Sequence, residues 1–402
     1  VVQGSAVVLA NGDARILALA GGRLLFAERP AGHRDFNRAT ESRRQPGSAL
    51  KPLVYLAAFR HGASLDSQVL DGPVAVGMGG NRPPKWIANY DGGYRGWITL
   101  RRALAESRNA ATVRLVAAVG VPQMLRTARE LGIHSRLQPF VTTALGASEV
   151  TLLELANFYR SIASGLHTEP WLLERVTTTD GMELFRHVPR GSERLNEHAL
   201  ALVQEALRGV VRLPGATAHA LASLPVPVMG KTGTTNDFRD ALFVGSTFGP
   251  SGVTVAVRIG FDDNHSLGPG ETGARVALPV FRDTIVRLYG RGLVGPAPRF
   301  PPALEQGIDE YLHGLETTDS AGGPDLTVDD PPLLERGSAE AGPAPVLPPA
   351  AAPANVLPAA PHEPASPLRT PPAGLPSNGP RPTETQKDVE TDTRGGAGST
   401  HP

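Results

Sequence analysis

The sequence predicts an α/β fold of the α+β sandwich kind, a five-stranded antiparallel sheet flanked by helices, with a helical insert. Three observations predict it. Two β-prone runs open the chain and three more follow residue 228, segments with helical apolar spacing fill the middle, and both periodicities are lost from about residue 293. The ends of the domain then meet in one sheet, covered by the helices between them.

The opening SAVVLANGDARILALAGG places two apolar runs around Asn11-Gly12, a strong hairpin signal, and predicts strands at about 5–10 and 14–20. A helix is expected from near Ser48 to about Arg60, before His61-Gly62, with Pro52 early enough that its missing N–H costs little. A turn-rich stretch containing NYDGGYRGW follows, and TLRRALAES (99–107) reads as a helix that breaks at Arg108-Asn109. ATVRLVAAVG, VPQMLRTARELG, VTLLELANFYRSIAS and EHALALVQEALRGVVR each show i, i+3, i+4 apolar spacing, and most are closed by glycine or proline. VMGKTGTT, DALFVGSTF and VTVAVRIGF are the three later strands, with GPSG as the turn between the last two, and ALPVFRDTIVRLYGR (277–291) closes the domain as a helix.

Of 38 prolines, 22 lie between Pro296 and Pro402. Such a segment buries too little apolar surface to offset its ordering entropy, so the reading is a folded domain over 1–292 and a Pro/Ala-rich flexible tail over 293–402. Within that tail only ALEQGIDEYLHGL (303–315) has a helical look. Zero net charge and the lack of a basic block speak against a nucleic-acid partner. Absence of cysteine excludes disulfides and thiolate metal sites. His61, His134 and His265 lack ligand spacing and Asp262-Asp263-Asn264 reads as a loop acid cluster, so neither a metal nor a cofactor is expected. No run of 18 apolar residues occurs, and the chain opens on Val1 without a signal pattern, which fits a removed or missing upstream portion.

Residue choice points to the chemistry. The chain has 39 Lys+Arg, yet only Lys51, Lys85, Lys231 and Lys387 are lysines. An ammonium loses its proton when desolvated, whereas guanidinium stays charged. Lys51 stands one helical turn after Ser48, so both side chains share a face, and a neutral Lys51 would activate a hydroxyl that is otherwise a poor nucleophile. The structural alternative is a serine N-cap followed by a first-turn lysine, a position the helix dipole disfavours. Ser107-Arg108-Asn109 is weaker alone, since a helix end often carries such residues. Lys231-Thr232-Gly233-Thr234 opens a strand and is much rarer by chance: a cation and two hydroxyls suit a carboxylate, and Gly233 admits a close backbone approach. Two neighbouring ammonium groups also lower each other's pKa.

The order S-x-x-K, S-x-N, K-T-G resembles that of penicillin-binding proteins and serine β-lactamases. FNRATESRRQPGSALKP, NYDGGYRGWITLRRALAESRN, ALGASEVTLLELANFY, GKTGTTNDFRDALFVG and GFDDNHSLGPGETGAR extend the likeness over about 4–291, to the transpeptidase domain of class A penicillin-binding proteins. The resemblance implies the serine β-lactamase/transpeptidase-like fold and D,D-transpeptidation of peptidoglycan stem peptides, with β-lactams acylating the same serine. It further implies a membrane anchor and a glycosyltransferase domain ahead of this one, a place on the extracytoplasmic, periplasmic face of the bacterial membrane, and cell-wall synthesis proteins as partners.

Carried over by motif, Ser48 is the nucleophile, Lys51 its base, Ser107 a proton relay and Asn109 a holder of Lys51 and a substrate amide. Lys231, Thr232 and Thr234 bind the terminal carboxylate beside Gly233, and the N–H groups of Ser48 and Thr234 form the oxyanion hole. Leu50, Leu242 and Ala274 stand where the family often has Phe, Trp and Gly. Alternatives are a D,D-carboxypeptidase or β-lactamase-type hydrolase, for which Glu154 and Asn157 have a passing look but wrong spacing, and an inactive wall-peptide-binding scaffold. Trp86, Tyr90, Tyr94 and Trp97 are candidates for a substrate groove or for packing.

Overall fold

A computed structural model describes residues 1–22, 36–77, 83–188, 193–195 and 197–320. The five expected strands form one sheet. β1 (Gln3–Ala10) and β2 (Ile16–Ala20) come from the start of the chain, and β3 (Met229–Thr234), β4 (Asp240–Ser246) and β5 (Val253–Gly260) follow the helices. Their order is β3-β4-β5-β1-β2, antiparallel throughout, with β1 and β5 in register from Gln3↔Gly260 to Ala10↔Val253. Asn11 does more than turn the first hairpin. Fully buried, it donates to Ser246 Oγ, Thr247 O and Gly249 O at 3.0–3.1 Å and accepts from Thr254 Oγ1 at 2.7 Å, fastening that turn to the one between β4 and β5.

Helices cover the sheet and build the second body of the core. They are α1 (Lys51–Arg60), α2 (Leu100–Ala105), α3 (Asn109–Val119), α4 (Val121–Glu130), α5 (Leu152–Ser164), α6 (Glu197–Arg212), α7 (Gly273–Gly290) and α8 (Pro302–Ser320). Every residue of β4 is buried; α7 packs over β4 and β5, and α5 over β1 and β5. α1 is buried from Lys51 to Phe59 and is apolar on all sides, packed among α3, α4 and α6. Burying Leu53, Val54 and Leu56 there contributes about 1.5–3 kcal/mol each relative to exposure. The helix places Lys51, at its first position, inside the domain.

Several boundaries differ from the sequence reading. The turn-rich stretch contains two short ribbons, Gln68–Asp71 with Gly96–Thr99 and Val74–Val76 with Lys85–Ile87, and a third pairs Arg175–Thr177 with Glu183–Arg186. Strands of three or four residues, mostly solvent-facing, are too short to show alternation. The folded domain also runs past residue 292. Phe300, just ahead of α8, and Leu304 and Ile308 within it are buried, and Glu305 of α8 accepts from Arg208 Nε at 2.8 Å and Arg212 Nη1 at 2.5 Å on α6. The remainder of the expected tail, from 321 onward, lies outside the described residues.

Candidate active site

Ser48 lies in a single 3₁₀ turn, Gly47–Leu50, and α1 starts only at Lys51. The helix therefore begins later than expected, and no side chain caps it; the N-cap role does not fall to Ser48. The turn is packed backbone to backbone. Gly47 has φ +53°, and a Cβ on it would come within 2.5 Å of Thr234 O. Gly233 is glycine for the same reason: its Cβ would meet Pro46 O at 2.5 Å and Ala49 Cβ at 3.1 Å, so the space left by its missing side chain is filled by the Ser48 turn. On the other flank a Cβ on Gly146 would fall on the backbone of Gly47, and one on Gly273 would fall on Gly233 O and Leu242 O. Tyr159 of α5 fastens the turn from below.

Lys51 is fully buried, and its Nζ donates to Ser107 O at 2.6 Å, Asn109 Oδ1 at 2.7 Å and Ser107 Oγ at 3.2 Å. Burial, and then the charges of Lys231 and Arg108, hold its pKa well below the ordinary 10.5, against an opposing pull from Asp71. Ser107 itself has φ +60°, a conformation that costs a non-glycine residue roughly 1–2 kcal/mol. It is the hinge between α2, which ends at Ala105 rather than at 107, and α3, which begins at Asn109.

Lys231 is likewise fully buried, on the edge strand β3, where its Nζ has Thr232 O and Oγ1 at 3.4 Å; burial pushes its pKa down to about 7. Thr234 Oγ1 accepts from Gly273 N at 3.0 Å, joining β3 to the start of α7. An edge strand keeps every second N–H outside the ladder. Ser48, Ser107, Asn109, Thr232 and Thr234 all line one cleft of about 530 Å³. Lys51 and Lys231, both fully buried, are not part of its lining. The arrangement joins a hydroxyl, a desolvated amine one turn away, a second hydroxyl held by that amine, and a cationic strand edge. These are the parts of serine acyl transfer.

Of the four aromatic candidates, Tyr90 lines the cleft and meets Phe238 edge-on with ring centroids 6.3 Å apart; Trp86 and Trp97 are exposed and do not line it. Ala274 adds a methyl to the cleft wall where Gly is common, whereas Leu50 and Leu242 are buried in the core. Glu154 is spoken for: it closes a capping box with Thr151, and its carboxylate also accepts from His134 N, Ser135 N and Ser135 Oγ. Burial pushes that carboxyl up, but the Ser135 and Thr151 hydrogen bonds outweigh it and hold its pKa below the usual range. Among the described residues no group of three or more His, Cys, Asp or Glu is placed to hold a metal, and no helix is long and apolar enough to cross a membrane.

Sequence reasoning missed Asp71, Asn89 and Tyr159. Asn89 stands inside NYDGG and Tyr159 closes ALGASEVTLLELANFY, both already part of the recognised pattern, but Asp71 falls within an ordinary β-prone run that does not mark it as special.

Residues 4–285 match the penicillin binding protein transpeptidase domain. Among similar proteins, a penicillin-binding protein 1A of Aquifex aeolicus is 37% identical over 293 residues, covering 72% of this chain and 39% of that protein. One from Neisseria lactamica is 33% identical over 318 residues, covering 77% and 38%. The chain thus spans about two fifths of the length of these relatives. In fold it is similar to penicillin-binding protein 1A from Haemophilus influenzae, with a TM-score of 0.64 at 24% identity over 75% of this chain and 49% of that one. It is also similar to PonA1 from Mycobacterium tuberculosis in complex with penicillin V, with a TM-score of 0.60 at 20% identity over 75% and 80%. With its fold, its motif order and residues 4–285 all in agreement, this chain belongs to the penicillin-binding protein transpeptidase domain family.

Proposed function

We propose that this domain is a serine-type D-Ala-D-Ala transpeptidase that cross-links peptidoglycan stem peptides and is acylated by β-lactams. The observation that carries this is the Lys51 amine, sealed from water, depressed in pKa, and held by Ser107 and Asn109 one turn from Ser48. In this reading Lys51 takes the Ser48 proton as Oγ attacks the penultimate D-Ala carbonyl. The N–H groups of Ser48 and Thr234 hold the oxyanion, and removing one such donor typically raises a barrier by about 3 kcal/mol. Ser107, hydrogen-bonded to the base, passes the proton to the departing D-Ala nitrogen. The C–N bond breaks, acyl-Ser48 forms, and an amine of a second stem attacks it in the reverse sequence.

Lys231, Thr232 and Thr234 receive the terminal carboxylate. With its pKa pushed down to about 7 by burial, Lys231 is driven to its charged form as the carboxylate arrives, so recognition and protonation are coupled. The full protein is proposed to act on the extracytoplasmic face of the membrane beside a glycosyltransferase domain, as the family resemblance implies; the relatives' greater length leaves room for such a domain. Hydrolysis driven by Glu154 is disfavoured, because that carboxylate is committed to a helix cap. Incubation with a labelled penicillin followed by peptide mass spectrometry is expected to find the adduct on Ser48. An unmodified chain after long exposure to high β-lactam overturns the reading. With a wall-derived amine acceptor, cross-linked dimer rather than free tetrapeptide is the expected product.

A further inference from the structure

Behind the Ser107–Asn109 turn lies a buried polar cluster to which the proposed reaction assigns no task. Asp71, fully buried at the end of a short strand, accepts from Arg108 Nε at 2.7 Å, Arg95 N at 3.0 Å and Asn89 Nδ2 at 2.8 Å. Asn89 in turn accepts, through Oδ1, from Asn109 N at 2.7 Å and Ala110 N at 3.2 Å, the first N–H groups of α3. Arg108, only 5% exposed, reaches Asp91 at 2.8 Å and Gly93 O at 2.5 Å with its other nitrogens. Thr112 Oγ1 donates to Arg108 O at 2.8 Å, and Asn109 Nδ2 donates to Ala88 O at 2.9 Å. These bonds hold Arg108 and Asn109, the residues that follow Ser107 and its positive φ.

We propose that Asp71, Asn89 and Arg108 form a positioning unit that holds Ser107 and Asn109 against the Lys51 amine and balances the charge around it. The proposal rests on the reading of Lys51 as the base. Asn89 supplies the geometry. It takes the place of a helix N-cap for α3 although it stands 20 residues upstream, so the main chain at Asn109 cannot move away from Lys51 without breaking that bond, and the Asn109 amide is held by Ala88 O. Arg108 and Asp71 supply opposing fields. The charged groups facing Lys51 are Lys231 from β3, Arg108 before α3 and Asp71 from the short strand. Tyr55 of α1, its pKa pushed up by burial, stays neutral. Lys231 and Arg108 favour the neutral amine and Asp71 the ammonium.

The test is the pH dependence of Ser48 acylation by a fluorescent penicillin, with folding followed by thermal melting. Acylation requires neutral Lys51, so its rate climbs with pH through the Lys51 titration. Asp71→Asn removes the field that favours the ammonium and is expected to move the midpoint down; Arg108→Gln is expected to move it up, each on the order of one pH unit. Asn89→Ala is expected to cut the maximal rate tenfold or more with the midpoint unmoved. A structural role alone would slow all three without moving any midpoint. Midpoints at the wild-type position in both charge variants, or displaced in the same direction, overturn the positioning unit. If Asp71→Asn does not fold, the rise in Arg108→Gln and the flat midpoint of Asn89→Ala decide. Wild-type chain that takes no label overturns both this proposal and the reading of the site, whereas labelled wild type with unmoved variants overturns this proposal alone.

Discussion

Tyr159 Oη donates a 2.6 Å hydrogen bond to the Ala49 carbonyl, and both groups are buried, so α5 holds the turn next to Ser48 through one hydroxyl. Tyr159→Phe removes that hydroxyl and leaves the carbonyl without a partner. The expected cost is about 1–3 kcal/mol in urea denaturation. Acylation by labelled penicillin is expected to slow as the turn loosens, and an unchanged rate with lowered stability would confine Tyr159 to packing.

Lys51→Arg keeps a positive charge and is expected to abolish acylation. A guanidinium does not deprotonate, and its larger planar head does not fit between Ser107 and Asn109 in place of the amine. In-gel fluorescence after penicillin labelling reads this directly; retained labelling would remove Lys51 from the role of base.

Lys231 ties stability to pH. The unfolded chain takes up this proton below the ordinary 10.5, the folded chain only below about 7. Falling pH therefore erodes stability across that window, and below 7 this contribution stops changing. Lys231→Met is expected to raise stability at pH 7 by on the order of a few kcal/mol and to flatten the rise in stability between pH 7 and 10, while penicillin binding is lost. Denaturant midpoints at several pH values check the first part.

A chain ending at Gly292 loses α8. That strands Arg208, which is nearly buried and also donates to Val228 O at 2.8 Å just ahead of β3. Breaking such a pair costs about 3–5 kcal/mol, so this truncation is expected to melt well below a chain ending at Ser320. Equal melting temperatures would make α8 a passive cover. Glu305→Gln is expected to fall between the two.

Much of this was legible in the sequence. The five strands and their meeting in one sheet followed from β-prone runs at both ends, and the helices from apolar spacing and their Gly or Pro stops. Residues Ser48, Lys51, Ser107, Asn109, Thr232 and Thr234 converge because their motifs mark the ends of those elements. α8 shows in the sequence as a helical stretch, but the proline-rich composition around it assigned it to the tail, although its apolar positions Leu304 and Ile308 find a core. Asp71 and Asn89 were illegible for a different reason. A buried polar residue is identified by its partners, and theirs lie up to 37 residues away along the chain.

The glycine contacts around Ser48 have a consequence for inheritance. Gly146, Gly47, Gly233 and Gly273 bring four separate segments together main chain to main chain, with no side chain between them to absorb a misfit. Side chains elsewhere in the core have room to drift together, since volume-conserving exchanges are tolerated. The spacing under Ser48 has no such slack. If the proposed reaction holds, heritable change that alters what the cleft admits while sparing the reaction is channelled to the cleft lining, where exchanges at Tyr90, Phe238 and Ala274 leave those four segments together.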